Sequence, residues 1–434
     1  MTSKNFLLAT LLCLASRAPV AAQSAGDSMV SVFSVGSLKV IHQRRVTSQA
    51  VSAQLYLLGG ARQIDARTAG IEPLVLRAAA FGSARYQGAS SALALGKTGS
   101  SIAIDPENDW TIYSLRTIRQ EFDSAWMVFA DRVTDPTLED ADVVSARRLM
   151  LAEIVANNDN PDDLVRRASR PVGFANHPYA NDPAGTDASV RGLRPQAVRD
   201  YHRNWFLASR MLLVVVGNVE RATVEGLVKA TLSALPAGNY VWALPPPVPR
   251  ANLSLTIIPR ETATDYIIGI FPGPVANARE YGAFRLSTGL LGAKLNYEIR
   301  EKAHASYAAY APLFDNAATA GGLYASTTRP EAVMQIMMEQ IREVAERGLP
   351  SMWRPRFVSQ FEIEDLLSRE TCAGQAEALA RALLIHGDVD AISAPYRSLR
   401  AVSEMSLKIV ATRYFPAVQF VFIGDTSRFR QYMR

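Results

Sequence analysis

The stretch Tyr201–Val219, which reads YHRNWFLASRMLLVVVGNV, decides how this chain is organised. It places aromatic residues before a continuous apolar run, Met211–Val216, and it closes on Gly217-Asn218. An uninterrupted apolar run of this length is typical of a strand that is buried on both faces. The stretch therefore predicts a central strand with packed layers on either side.

The end of the chain repeats this order. An aromatic pair, Tyr414-Phe415, precedes a second apolar run, Val418–Ile423, which closes on Gly424-Asp425. Between the two copies, Ala243–Pro249 (ALPPPVP) is too rich in proline for a helix or a central strand, so it predicts an extended linker. We therefore predict an α+β fold, a tandem of two related α/β-sandwich domains, each an antiparallel-rich sheet packed with helices.

The first 22 residues have the character of a secretory signal. Lys4 gives a short positive start, Phe6–Ala15 is an apolar core too short to span a bilayer, and Val20-Ala21-Ala22 offers small residues before a cleavage point. We expect export, to the periplasm or out of the cell; the alternative is a buried N-terminal helix. The small and polar residues 23–36 predict a mobile lead-in. The two domains are predicted at 27–242 and 251–434, joined by the linker 243–250.

Composition narrows the class of protein further. The chain has 434 residues, 48% hydrophobic and 20% charged, which is typical of a globular protein. The formal net charge of +5 falls to +3 when Lys4 and Arg17 leave with the signal, and the basic residues are scattered, which argues against a nucleic-acid surface. Only Cys372 then remains, so no disulfide within the chain is possible. No further apolar stretch reaches the length of a membrane span.

Five segments, in their order and spacing, resemble one known family. They are Gly70–Ser83, Leu151–Ile154 with Asn160-Pro161 after it, His177-Pro178-Tyr179, Tyr201–Val219 and Leu295–Tyr307. Together they are similar to the insulinase/pitrilysin-like (M16) metallopeptidases, in particular the short-chain bacterial and mitochondrial-processing-type branch. The resemblance covers nearly all of the chain after the signal, and it implies half of a clamshell that closes around a chamber.

Active members of that family carry H-x-x-E-H on their first helix. Two His at i and i+4 share one face of the helix and bind zinc, and the Glu takes a proton from the metal-bound water. The resemblance places these positions on Pro73, Leu76 and Arg77, and the third zinc ligand on Glu153. Proline and leucine cannot bind a cation, and arginine would repel one. We therefore predict a degenerate metal site in which Arg77 pairs with Glu153.

No other residues form a complete catalytic constellation. The five histidines, at 42, 177, 202, 304 and 386, show no i, i+3 or i, i+4 pair, and we expect His177 to cap or pack locally. Cys372 predicts a small, partly buried side chain rather than a nucleophile. The chain has no G-x-S-x-G elbow, phosphate-binding loop or dinucleotide fingerprint. We therefore assign no catalytic residue and no cofactor to this chain.

One constellation of the family is retained in the second half. There the family supplies an Arg and a Tyr, seven residues apart, that bind the substrate backbone; here Arg300 and Tyr307 stand at that spacing. Both side chains can donate hydrogen bonds to a peptide carbonyl. The alternative is an exposed helix arginine and a strand tyrosine packed on the sheet. The family often has Arg-Gly where this chain has Ala303-His304, so the turn after the helix is expected to differ.

The strand predicted around Tyr324, with Gly321-Gly322, adds a further expectation. If its edge is open, it can take up a substrate peptide by β-augmentation, a mode of binding that needs no zinc.

Taken together, the resemblance implies a catalytically inactive subunit that pairs with a zinc-bearing homologue. The two chains would form a peptide-degrading chamber, to which this chain contributes substrate binding. The zinc is expected in the partner. The alternative is a non-enzymatic binding or scaffold protein on the same fold; an independent enzyme with new chemistry is disfavoured by the lack of a complete constellation.

Overall fold

The structure is a computed structural model that describes residues 30–158, 160–349 and 351–432; the predicted signal at 1–22 lies outside these residues. The strands of the first half are β1 (Val30–Val35), β2 (Leu38–Arg44), β3 (Ala50–Leu58), β4 (Ser101–Pro106), β5 (Trp110–Ile118) and β6 (Met211–Gly217). Those of the second half are β7 (Ser254–Pro259), β8 (Asp265–Val275), β9 (Ala308–Tyr310), β10 (Leu313–Phe314), β11 (Ala318–Thr327) and β12 (Gln419–Gly424).

The helices of the first half are α1 (Ile71–Ala78), α2 (Ser90–Thr98), α3 (Phe122–Thr134), α4 (Asp140–Asn158), α5 (Pro161–Gly173), α6 (Asp187–Gly192), α7 (Pro195–Trp205) and α8 (Arg221–Ala230). Those of the second half are α9 (Tyr281–Leu295), α10 (Pro330–Arg347), α11 (Arg354–Ser368), α12 (Cys372–His386), α13 (Ala394–Arg400) and α14 (Glu404–Tyr414). Every helix within the described residues falls short of the length and apolar character that a membrane span requires.

The two sheets have the same topology, which confirms the repeat. The first sheet has the order β1-β2-β6-β3-β5-β4, and the second has the order β7-β12-β8-β11-β10, with β9 also paired to β11. In each sheet the last strand of the half is parallel to the first strand of the repeat, β2 or β7, and antiparallel to its other neighbour. The predicted linker, residues 243–250, contains neither a helix nor a strand.

The first sheet carries an edge strand, β1, that pairs with β2 and has no counterpart beside β7 in the second sheet. The prediction of a mobile lead-in over residues 23–36 is wrong for Val30–Val35, which forms this antiparallel edge strand. Its alternation of small polar and apolar residues gives only a weak strand signal, and the pairing with β2 supplies the backbone hydrogen bonds that fix it.

Strand β6 is buried on both faces, as its apolar run predicts. Met211, Leu213 and Val215 face the core formed with the helices of the first half. Leu212, Val214 and Val216 face a different cluster, which contains residues of α12 from the second half. Side chains alternate across a strand, so each face needs its own cover.

The second sheet is covered in the reciprocal way. Phe420 and Phe422 of β12 pack into the core of the second half. Val421 and Ile423 face a cluster that includes Val165 of α5, a helix of the first half. Helix α5 therefore covers the second sheet, helix α12 covers the first, and each half completes the other.

A buried polar bridge joins the halves beside these helices. Asp109, in the turn between β4 and β5, accepts a hydrogen bond from the Ala317 amide at 2.7 Å and another from the Tyr179 hydroxyl. The Tyr179 oxygen in turn accepts from the Ala318 amide at 3.2 Å. Burial raises the pKa of the Asp109 carboxyl, and the two hydrogen bonds that it accepts oppose the rise.

We predict that Tyr179→Phe destabilises the protein by about 1 to 3 kcal/mol, because it leaves a buried carboxylate oxygen and the Ala318 amide without a partner. The urea unfolding midpoint measures this loss. The same substitution at Tyr307, whose side chain is exposed, serves as the control and should leave the midpoint unchanged. Equal midpoints for the two variants would show that the bridge does not stabilise the fold.

Candidate functional site

Helix α1 carries the positions that correspond to the zinc motif. It begins after Gly70, whose φ of 85° lies in the left-handed region and whose Cα faces Gly185 so closely that a Cβ would come within 2.8 Å of it. Glycine is therefore required there. Pro73 lies in the first turn of the helix, where a missing amide hydrogen costs nothing. The helix packs against α4, α7 and β4.

Glu72, in the first turn of α1, is a structurally important residue that sequence reasoning missed. Its carboxylate lies 2.7 Å from Arg210 Nη2 and accepts a hydrogen bond from the Tyr201 hydroxyl at 3.0 Å. Arg210 is fully buried and also donates through Nε to the Leu58 carbonyl at 2.6 Å. This buried ion pair fixes the start of α1 to the segment that leads into β6. The sequence signals it only through Arg210, which directly precedes the apolar run of β6, and through Glu72, which lies within an apolar helix.

Arg77 and Glu153 form the predicted ion pair. Arg77 Nη1 lies 2.8 Å from Glu153 Oε1, and the side chains keep 30% and 55% of their surface exposed. The pair joins α1 to α4. Leu76, at the position of the catalytic base, is 1% exposed and belongs to the hydrophobic core.

These residues do not fit a zinc ion. Of the four positions, only Glu153 carries a metal-binding group, and that group is paired with a guanidinium. Over residues 30–158, 160–349 and 351–432, no group of three or more His, Cys, Asp or Glu side chains is arranged to hold a metal. His42 and His202 each contact a backbone carbonyl instead. His177 accepts from the Tyr179 amide and caps the turn, as predicted.

Arg300 and Tyr307 lie together on the surface of the second half. The Arg300 guanidinium carbon is 5.3 Å from the centroid of the Tyr307 ring, within the range of a cation–π contact. Tyr307 is 88% exposed, so it does not pack against the sheet. Arg300 lies within a π-helix, Asn296–Lys302, that continues α9, and Tyr307 follows it after a short turn. Such wide helical turns occur frequently at functional sites.

The turn between the two residues is held in an unusual conformation. His304 has a φ of 49°, in the left-handed region that favours glycine. The Ala305 amide donates to the Ile299 carbonyl at 2.9 Å, and Arg329 donates to the carbonyls of Ala303 and His304. His304 therefore occupies a backbone conformation that glycine adopts more readily. At this turn the chain differs from the family pattern in the type of residue that takes this conformation.

The expectation of an open edge at β11 is wrong. Gly321 and Gly322 lie on an inner strand, with β8 on one side and β10 on the other, and Tyr324 lies beside Tyr310 of β9. The chain's own residues 308–314 occupy the edge that a substrate peptide would need. The sequence around β9 predicts a strand, but its local pattern does not show that it pairs with β11, and the two-residue β10 gives no signal of its own.

These features define a class of protein: two matched α/β halves, with a peptidase-type first helix that lacks its metal ligands. Comparisons with known proteins agree. Residues 39–187 match the family described as "Insulinase (Peptidase family M16)", and residues 192–353 match "Peptidase M16 inactive domain". The chain belongs to the insulinase-like M16 peptidase family.

Two relatives have low sequence identity to this chain but align with it over most of its length. An uncharacterized zinc protease of Mycobacterium bovis is 24% identical over 392 residues, which cover 87% of this chain and 88% of the relative. An uncharacterized zinc protease of Streptomyces coelicolor is 24% identical over 319 residues, which cover 70% of this chain and 69% of the relative.

Solved structures show the same fold. A protease from Helicobacter pylori has a TM-score of 0.82 at 15% identity and matches 91% of this chain and 99% of its own. A peptidase M16 inactive domain from Pseudomonas fluorescens has a TM-score of 0.81 at 18% identity, over 92% and 98% of the two chains. The periplasmic protease PqqL from Escherichia coli has a TM-score of 0.75 at 16% identity; it matches 93% of this chain but 48% of its own length.

The two ion pairs of α1 should differ sharply in their effect on stability. We predict that Glu72→Gln costs about 3 to 5 kcal/mol, because it leaves the buried Arg210 without its counter-charge. Glu153→Gln should cost less than about 1 kcal/mol, because its pair is half exposed. Chemical denaturation of both variants measures the difference, and a larger loss for Glu153→Gln would contradict this account of the helix.

Proposed function

We propose that this chain is a catalytically inactive, exported M16 subunit that pairs with a zinc-bearing homologue to form a peptide-degrading chamber. The observation that carries the proposal is the contrast between two sites. At the zinc positions, Leu76 is buried in the core and Arg77 is paired with Glu153. At the substrate-binding positions, Arg300 and Tyr307 remain exposed and in contact with each other.

The chemistry of the Arg300–Tyr307 pair suits a peptide substrate. A guanidinium presents several donors in a fixed plane, and a phenol adds one more, so the two can hold a backbone carbonyl and stabilise an oxyanion that forms on it. The cation–π contact orients the guanidinium before any substrate arrives. The attacking water and its zinc would come from the partner, because residues 30–158, 160–349 and 351–432 contain no group of three or more side chains arranged to hold a metal.

The length of this chain, compared with that of a related protease, supports the need for a partner. This chain corresponds to about half of the periplasmic protease PqqL, with which it shares its fold. A second chain of similar size would supply the missing half of the chamber. The secretory signal predicted at residues 1–22 would export the chain, so the complex would degrade peptides outside the cytoplasm.

Reconstitution tests the pairing and the substrate site together. We predict that co-expression with an M16 relative that has an intact H-x-x-E-H, encoded beside this gene, gives a complex that cleaves a fluorogenic peptide, which this chain alone does not. Arg300→Ala or Tyr307→Phe should lower kcat/KM by about tenfold or more, because each removes a donor to the substrate.

The control is Arg342→Ala, which removes an exposed arginine on α10 and should leave kcat/KM unchanged. A stable complex that keeps full activity after both site substitutions would overturn the role of Arg300 and Tyr307. If the two chains do not associate at all, the pairing is wrong, and a non-enzymatic binding or scaffold protein becomes the better description.

Metal content tests the inactive site directly. We predict that the purified chain contains no stoichiometric zinc by mass spectrometry after dialysis, whereas the triple variant Pro73→His, Leu76→Glu and Arg77→His gains one zinc per chain with Glu153 as its third ligand. Adding Glu153→Gln to the triple variant should lower its zinc content. Stoichiometric zinc in the natural chain would overturn the inactive site.

A further inference from the structure

An apolar pocket of about 560 Å³ opens beside the zinc-motif positions in the first half. Its volume falls within the range of roughly 300 to 1,000 Å³ that is typical of small-molecule sites. The pocket lies among α1, α2, α3, α4 and the strands β4 and β5. Its apolar wall includes Leu76, Phe81, Ile102, Ile104, Ala146 and Leu149.

Two buried polar side chains interrupt this apolar wall. Arg132, on α3, is 7% exposed and donates through Nη2 to the Ser91 hydroxyl at 2.6 Å, but its Nε has no hydrogen-bond partner. Among the described residues, no carboxylate lies within ion-pairing distance of its guanidinium, although Asp142 lines the same pocket. Tyr113, on β5, is fully buried; its hydroxyl lies beside the Arg132 guanidinium, but no hydrogen bond of good geometry satisfies it.

A buried cation without a counter-charge is unfavourable, as is a buried hydroxyl without a hydrogen bond. Both costs fall if an anion enters the pocket and accepts from Arg132 and Tyr113. Burial raises the pKa of Tyr113 to about 12, so its hydroxyl keeps its proton at neutral pH and can donate. Because the remaining lining is mostly apolar, the anion that fits this pocket should carry an apolar group.

We propose that this pocket binds a free aliphatic carboxylic acid, with its tail on the apolar wall and its carboxylate on Arg132 and Tyr113. Leu76 stands where active members of the family have a glutamate, and its aliphatic side chain keeps the pocket wall apolar beside α1. The pocket is much larger than one amino-acid side chain, which favours a free acid over the end of a peptide. This proposal stands apart from the proposed pairing with a zinc-bearing subunit.

Isothermal titration calorimetry on the purified chain tests it with octanoate and decanoate as probes. Decanoate should bind more than tenfold tighter than octanoate, at about fourfold for each buried methylene. Decan-1-ol, which has the same tail and no charge, should bind at least tenfold more weakly than decanoate. Equal affinity for the acid and the alcohol would overturn the role of Arg132, and tighter binding of N-acetyl-leucine than of decanoate would overturn the assignment to an aliphatic acid.

Variants locate the ligand. Arg132→Gln should weaken decanoate binding at least tenfold, and Arg132→Lys, which keeps the charge, should weaken it less. Arg85→Gln is the matched control, because Arg85 is an exposed arginine near Asp131 of α3 and does not line the pocket. If Arg132→Gln does not fold, Ala92→Trp fills the pocket from an exposed position of α2 and should abolish binding. Unchanged decanoate affinity in the folded Arg132→Gln variant, or in Ala92→Trp, would overturn the proposal.

Discussion

The structure depends on strands that must be covered on both faces. In β6 and β12 every apolar side chain is buried, and successive residues enter two different clusters. One cluster of each pair is built with helices of the same half, and the other needs α5 or α12 from the opposite half. Separating the halves would expose one whole face of each sheet to water, so neither half can be considered a finished folding unit.

This arrangement explains why the fold tolerates the loss of a metal site. The start of α1 is held by the buried pair of Glu72 and Arg210, and its inner face is held by Leu74, Val75 and Leu76 in the core. None of these contacts involves a metal ligand. The Arg77–Glu153 pair lies at the half-exposed side of the helix, where ion pairs contribute little to stability. The positions of the former ligands are therefore free to change while the scaffold remains.

The sequence alone predicts those features of the fold that depend on local residue patterns. The uninterrupted apolar runs of β6 and β12 and the repeat of element order both follow from spacing and composition. It could not show which sheet an amphipathic helix such as α5 or α12 would cover, because periodicity marks a buried face but not its partner. It also missed Glu72 with Arg210, since the two residues meet only in the folded chain. Strands β1 and β10 were missed for a similar reason, because each is fixed by its pairing with a neighbouring strand in the folded chain.

The substitutions at the zinc positions each suit their new surroundings. Pro73 occupies the one turn of α1 in which proline is harmless, Leu76 fills a core position where an unpaired carboxylate would be costly, and Arg77 supplies a counter-charge to Glu153. Arg77 Nε is buried without a hydrogen-bond partner, as are Arg132 Nε and the Tyr113 hydroxyl in the adjacent pocket, whose wall includes Leu76. Leu76 and Arg77 therefore contribute both to the helix face without metal ligands and to the wall of the neighbouring pocket.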